Sequence, residues 1–179
     1  MHRIDLPDFI LISGSGKKVG KTYLAVGLIA YFSPTEPIVA LKISPHTHDD
    51  VGKSMMVEGN CRFTIYRDLE PHDRNSGQYL KAGARASYFM EVRDEHLPEA
   101  LQVFLQLCNP AGKRVICESG ALGRLFRPSV MIFIAPAEEE LSGVKQQSAE
   151  VADIRLPACA FRISEAIEKL QLFLKVEIK

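Results

Sequence analysis

Short apolar runs alternate with amphipathic stretches along the chain. Asp8–Ser13 (DFILIS) has the length and composition of a buried strand. Thr22–Phe32 follows with Leu24, Leu28 and Phe32 at helical spacing and Val26 and Ile29 widening the apolar face, until Ser33-Pro34 ends it. Pro37–Ile43 (PIVALKI) reads as a second strand. Residues 44–60 are polar and read as a loop with one helical turn. Alternation over Cys61–Arg67 predicts a strand, Ser76–Ala82 a short helix and Arg85–Val92 another strand. Pro98–Cys108 predicts a helix, with proline near its start, Leu101, Phe104, Leu105 and Cys108 on one face, and Asn109-Pro110 at its end. Arg114–Glu118 (RVICE) and Ser129–Ala135 (SVMIFIA) are buried-strand runs. Ser142–Val151 reads as helix, Ala152–Leu156 as a short strand and Ser164–Leu174 as a closing helix with a serine cap.

Strands that alternate with helices imply right-handed crossovers and a mostly parallel sheet, an α/β fold. Ligands of such sheets bind beyond the carboxyl ends of the strands. The 179 residues suit one domain spanning 1–179, with a sizeable core. Apolar residues make up 46% of the chain and charged residues 25%, the balance of a soluble globular protein, and a formal net charge of zero supplies no overall pull toward nucleic acid or an acidic membrane. The apolar runs are too short to span a bilayer, and MHRIDLPDF lacks the apolar centre of a secretory leader. Cys61, Cys108, Cys117 and Cys159 stand far apart, with no C-x-x-C, as reduced cysteines do. The expected location is cytoplasmic, with neither a nucleic acid nor a membrane as partner.

One stretch breaks the apolar alternation with concentrated positive charge: SGSGKKVGKTYLAVGLIA, Ser13–Ala30, at the carboxyl end of the first strand run. Glycines let a backbone curl until its N–H groups converge on an anion, and the helix N-terminus that follows adds unpaired N–H groups and partial positive charge. Such a loop cradles phosphates, with Lys21 along the β- and γ-phosphates and the Thr22 hydroxyl on Mg2+. The pattern G-x-x-x-x-G-K-S/T is met at Gly20, Lys21 and Thr22, while Ser15 occupies its first position and Gly14 stands one residue early. The expected fold is therefore a three-layer phosphate-loop NTPase. Its nucleotide-binding residues would be Ser15, Gly16, Lys17, Lys18, Val19, Gly20, Lys21, Thr22 and Tyr23.

Glu118 ends a strand run shortly before Gly120, where a carboxylate can reach the Mg2+ shell. Lys42 ends the second strand run and offers a second positive charge to phosphate, so Lys21 and Lys42 are the candidate catalytic cations. His46-x-His48-Asp49-Asp50 admits two readings, a transition-metal pair or a mobile polar loop; the second is favoured, with Asp49 or Asp50 near the Mg2+ shell. The candidate metal residues are thus Thr22, Glu118 and Asp49. His72-Asp73-Arg74 reads as surface loop, and Phe63, Tyr66, Tyr88 and Phe89 as core. Arg124 and Arg127 follow the Glu118 strand and are the arginine-finger candidates. No N-K-x-D segment follows SVMIFIAP, which leaves ATP and GTP both open.

The spacing GSGKKVGKT is similar to the loop of dethiobiotin synthetases. Beyond the loop the chain resembles the molybdopterin-guanine dinucleotide biosynthesis protein B family over roughly residues 9–135. VALKISPHTHDD matches that family's strand ending in lysine before a histidine-rich loop. NSGQYLKAGA matches its Ala-Gly-Ala segment with Asn75 in place of aspartate, and VICESG its strand ending in Glu-Gly with Ser119 inserted. This resemblance implies a small GTP-binding protein with Mg2+ as cofactor, slow hydrolysis, and a role in molybdenum cofactor assembly. It also implies a molybdopterin-type small molecule or a biosynthetic protein as partner, and a pterin phosphate as a ligand for Lys42. It admits a homodimer. Two other readings stand beside it. One is an ATP-dependent ligase or kinase similar to dethiobiotin synthetase; the other is a nucleotide-responsive adaptor without catalysis, docking through the polar segment 136–150.

Overall fold

A computed structural model describes residues 4–45, 54–73 and 75–177. The strands are β1 (Ile4–Gly14), β2 (Ile38–Ser44), β3 (Ser54–Gly59), β4 (Phe63–Asp68), β5 (Ala86–Val92), β6 (Arg114–Glu118), β7 (Phe126–Ala135) and β8 (Ile154–Pro157). The helices are α1 (Lys21–Phe32), α2 (Asn75–Lys81), α3 (Leu97–Cys108), α4 (Leu122–Leu125), α5 (Gly143–Glu150) and α6 (Ile163–Glu177), with a 3-10 turn at Asp94–His96. All the strands join one eight-stranded sheet in the order β3-β4-β5-β2-β6-β1-β7-β8. Every pairing from β5 to β8 is parallel; only β3 with β4 and β4 with β5 are antiparallel.

The central strands read as unbroken apolar runs because helices cover both of their faces. Under α1, α2 and α6 lie Ile10, Ile12, Ala40, Ile116, Ile132 and Ile134. On the other face, Leu11, Val39, Leu41, Val115, Cys117 and Met131 pack against α3 and α4. The result is an α/β fold with a layering compatible with a three-layer architecture. Strand parity decides which side chains meet above the sheet. Glu118 lies two residues past Ile116 and Lys42 two past Ala40, so both share the α1 face. The β2–β6 register sets Lys42 directly opposite Glu118, and the β1–β6 register sets Ile12 beside it.

Several boundaries differ from the sequence pattern. Residues 54–59 form strand β3, not loop. Among the described residues β3 is an edge strand that pairs only with β4; it leaves Met55 and Met56 exposed and so carries no buried periodicity. The part of 44–60 comprising 46–53 lies outside the described residues, and with it His46, His48, Asp49 and Asp50. β1 begins at Ile4 and β7 at Phe126, where an irregular pairing across Leu6 and Ile10 extends both strands through polar positions. α6 starts at Ile163, so Ser164 does not cap it; the Arg162 N–H instead donates to Glu165 Oε2 at 3.3 Å, a partial capping box.

His72 is also not simple surface loop. Its Nε2 lies 3.0 Å from Asp68 Oδ1, and only 11% of its side chain is exposed. Asp68, buried at the end of β4, accepts from the hydroxyls of Ser54 (2.6 Å) and Ser76 (3.3 Å). The Ser87 hydroxyl lies 2.7 Å from Asp68 Oδ2 and 2.8 Å from the Ser76 carbonyl oxygen. This carboxylate ties β3, β4, β5 and α2 together. Its removal strands several buried donors, so Asp68→Ala should lower stability by about 3–5 kcal/mol in urea unfolding with an unchanged slope. A loss under about 1 kcal/mol would show that water replaces the carboxylate at little cost.

Candidate functional site

The Gly14–Thr22 segment joins the carboxyl end of β1 to α1. Its turn needs two left-handed residues, Lys18 (φ 61°) and Gly20 (φ 108°), and the Gly20 carbonyl accepts the Leu24 N–H to open α1. Gly16, Lys17 and Lys18 are exposed, Val19 and Ser15 are buried, and Tyr23 is exposed. The Ser15 N–H donates to the Ile134 carbonyl at 2.9 Å, which fixes the loop against the end of β7. Gly14 makes the close approach: a Cβ there would stand 2.7 Å from the Ile134 oxygen and 2.9 Å from Val19 Cγ2. A Cβ on Gly16 would meet nothing within 4 Å. The steric need for glycine therefore sits one residue ahead of the pattern's first position, which Ser15 occupies as a buried residue.

The side chains converge on Glu118. Its Oε2 accepts from Thr22 Oγ1 at 2.8 Å and from Tyr79 Oη at 2.8 Å, and its Oε1 lies 3.3 Å from Lys42 Nζ. Glu118 is 6% exposed. A carboxylate withdrawn from water to this degree needs compensating donors, and three elements supply them: α1, α2 and β2. Lys21 Nζ donates to the Gly16 carbonyl within its own loop. Burial holds the Lys21 ammonium below the ordinary lysine range; Glu118 opposes that shift and Lys42 adds to it. Glu118 thus pairs with Lys42 on the rim where the parallel strands end, near enough to Lys21 to influence its charge.

Of the residues the sequence singles out, Thr22, Lys42 and Glu118 meet in direct contact, and Lys21 feels both charged partners. Arg124 and Arg127 are not brought to this cluster as arginine fingers. The Arg124 guanidinium pairs with Asp94 at 2.6 Å, and Arg127 stands opposite Asp5 at the far end of β1 from the loop. Asp49 lies outside the described residues. Among the described residues no three His, Cys, Asp or Glu side chains gather as a metal site.

Two contributors are invisible in the spacing. Tyr79, 1% exposed, reaches Glu118 from α2, and burial followed by the Glu118 charge pushes its phenol well above the ordinary tyrosine range. Its place is set by the end of α2. Gly83, at φ 104°, closes that helix with Gly83 N–H to Leu80 O (3.1 Å) and Ala84 N–H to Tyr79 O (3.0 Å), the two bonds of a Schellman motif. This gives Ala82-Gly83-Ala84 a backbone role. Phe161, after β8, packs against Gly20 and lies 5.9 Å from the Tyr23 ring, while Cys159 Sγ lies 3.9 Å from the Lys18 carbonyl. A tyrosine inside NSGQYLKAGA is the one signal that points toward Tyr79; nothing in the sequence points to Phe161. Cys117 lies behind Glu118, fully buried, with its thiol raised well above the usual value by burial and then by Glu118. Burial also pushes Cys108 up to about 11, so neither thiol is poised as a nucleophile.

The arrangement can hold an anion on the loop and present a hard oxygen pair, Thr22 and Glu118, beside it. No helix among the described residues is long and apolar enough to cross a membrane.

The glycine contrast is testable. Gly14→Ala should cost about 1–3 kcal/mol, since backbone oxygen cannot yield as a flexible side chain does. Gly16→Ala should stay within about 0.5 kcal/mol. Thermal unfolding of the two variants checks this, and equal costs would refute the assignment of the close approach. No family model matches the chain, and no curated protein or solved structure matches it either.

Proposed function

We propose that the chain binds a nucleoside triphosphate with Mg2+ on the Gly14–Thr22 loop and hydrolyses it slowly, as a phosphate-loop NTPase. The observation that carries this reading is the convergence of Thr22, Glu118 and Lys42 beside the loop that holds Lys21. Hydroxyl and carboxylate oxygens 2.8 Å apart are hard donors that suit Mg2+, which takes one or two protein oxygens and completes its shell with phosphate and water. Bound there, Mg2+ would neutralise charge on the β- and γ-phosphate oxygens.

The protein's own groups divide the remaining work. The loop N–H groups and the first turn of α1 bind phosphate oxygens and orient the chain of phosphates. Lys21 exchanges its contact with the Gly16 carbonyl for phosphate, a charge-assisted partner that outcompetes a neutral one. Lys42 is held by Glu118 on the side toward β2, where it can stabilise charge that develops on the transferring phosphoryl group. Whether the base is guanine or adenine is decided outside this cluster. The ordered motifs VALKISPH, NSGQYLKAGA and VICESG favour GTP and molybdenum-cofactor dinucleotide assembly in the cytoplasm, with a molybdopterin-type molecule or biosynthetic enzyme as partner.

Calorimetry with GTP and ATP, with and without Mg2+, tests the reading. Lys21→Ala should lose roughly 1.5–3 kcal/mol of nucleotide binding, a tenfold effect or more. Glu118→Gln should leave metal-free nucleotide binding intact and reduce the gain that Mg2+ brings, because an amide holds the metal shell less tightly. Parent protein that binds neither nucleotide would end the proposal. Turnover of diaminopelargonic acid with bicarbonate and ATP would move it to the ligase reading, and a partner retained regardless of nucleotide would favour an adaptor.

A further inference from the structure

We infer that Tyr79 is a positioning residue for this site: its phenol holds the Glu118 carboxylate toward Thr22, so that Mg2+-dependent nucleotide binding depends on α2. The inference rests on the nucleotide-binding reading above.

The geometry carries the argument. Glu118 has two oxygens in unlike surroundings. Oε1 faces Lys42 Nζ at 3.3 Å, a full charge on a flexible stem whose side chain is 18% exposed. Oε2 faces two neutral hydroxyls, Thr22 and Tyr79, each at 2.8 Å. The ammonium attracts either oxygen and does not fix which one faces α1. The hydroxyl of Thr22 is itself called on to meet the metal, so it cannot be the sole anchor of the carboxylate that assists it. Among the described residues Tyr79 is the one donor to Glu118 that is neither a charge nor a metal-binding candidate.

Its own position leaves little freedom. The ring is fully buried in the cluster formed by α1, α2 and the central strands. Its backbone carbonyl is bonded to the Ala84 N–H in the turn that Gly83 closes. A Cβ at Gly83 would stand 2.5 Å from Ser33 Oγ, so that turn is seated against the end of α1. Tyr79 therefore spans from a fixed turn to a fixed oxygen. Groups behind a metal-assisting carboxylate orient it in this way, and removing one weakens metal affinity by about 10–100-fold. Without the phenol, Glu118 is free to turn both oxygens toward Lys42 and away from Thr22.

Tyr79→Phe keeps the ring and the volume and removes only the donor. The experiment is a Mg2+ titration of nucleotide binding in the parent, Tyr79→Phe, Glu118→Gln and the double variant. Nucleotide affinity in the presence of a chelator is measured alongside. The inference expects the Mg2+ midpoint of Tyr79→Phe to rise about tenfold, with chelated affinity unchanged and no further rise when Tyr79→Phe is added to Glu118→Gln. An equal loss of affinity with and without Mg2+ would make the phenol a support of the fold alone and overturn the inference. So would an unchanged midpoint, or a further rise in the double variant. Parent protein that binds no nucleotide would overturn the proposed function itself and this inference with it, an outcome visible before any variant is read.

Discussion

A buried carboxylate held by one lysine and two hydroxyls governs how the loop rim of this protein is built. Glu118 gathers Thr22 from α1, Tyr79 from α2 and Lys42 from β2, so three elements that are distant in the chain share one acceptor. Each would leave a polar group poorly satisfied without the others, a situation that costs far more than any one of the bonds gains. The order of the sheet makes the meeting possible. β6 inserts between β1 and β2, which brings the end of a late strand beside the two earliest ones.

A second buried carboxylate stands at the other end of the same short helix. Ser76 bonds Asp68 and Tyr79 bonds Glu118, and these two positions of α2 are three residues apart, on one helical face. A helix of seven residues has little stability of its own. Here it is held by a bond to a carboxylate at each end and by the turn at Gly83. The antiparallel β3–β4 edge is thereby linked, through α2, to the loop rim at the centre of the sheet.

Much of this was legible from the order of residues. Lys42 and Glu118 close strand runs, and in a parallel sheet strand ends face one rim; Gly20-Lys21-Thr22 announce a turn into a helix that concentrates positive charge. The partners of Glu118 were only half legible. The sequence points to Thr22 through the Gly-Lys-Thr pattern and to Lys42 through its strand end, but as contacts for Mg2+ and phosphate, not as partners of Glu118. Tyr79 is not singled out, because the side of a short helix that faces the sheet depends on packing. β3 reads as loop in the sequence for a related reason: an edge strand with exposed methionines has no buried face to print a period on the sequence. His72 looked like surface because its partner Asp68 belongs to a network that spans four separate segments. Ser15 looked like a flaw in the glycine pattern because spacing alone does not reveal that the crowded position is Gly14.

The side-by-side placement of Lys42 and Glu118 also bears on how the chain can change in length. Both sit at strand ends whose side-chain direction reverses with every residue, so a single insertion or deletion within β2 or β6 would turn one of them to the opposite face of the sheet. The charge would then point into the layer of Leu41, Val115 and Cys117 instead of toward α1. An added or lost residue would be accommodated instead in connections such as the exposed turn around Gly112, where a side chain would meet nothing within 4 Å.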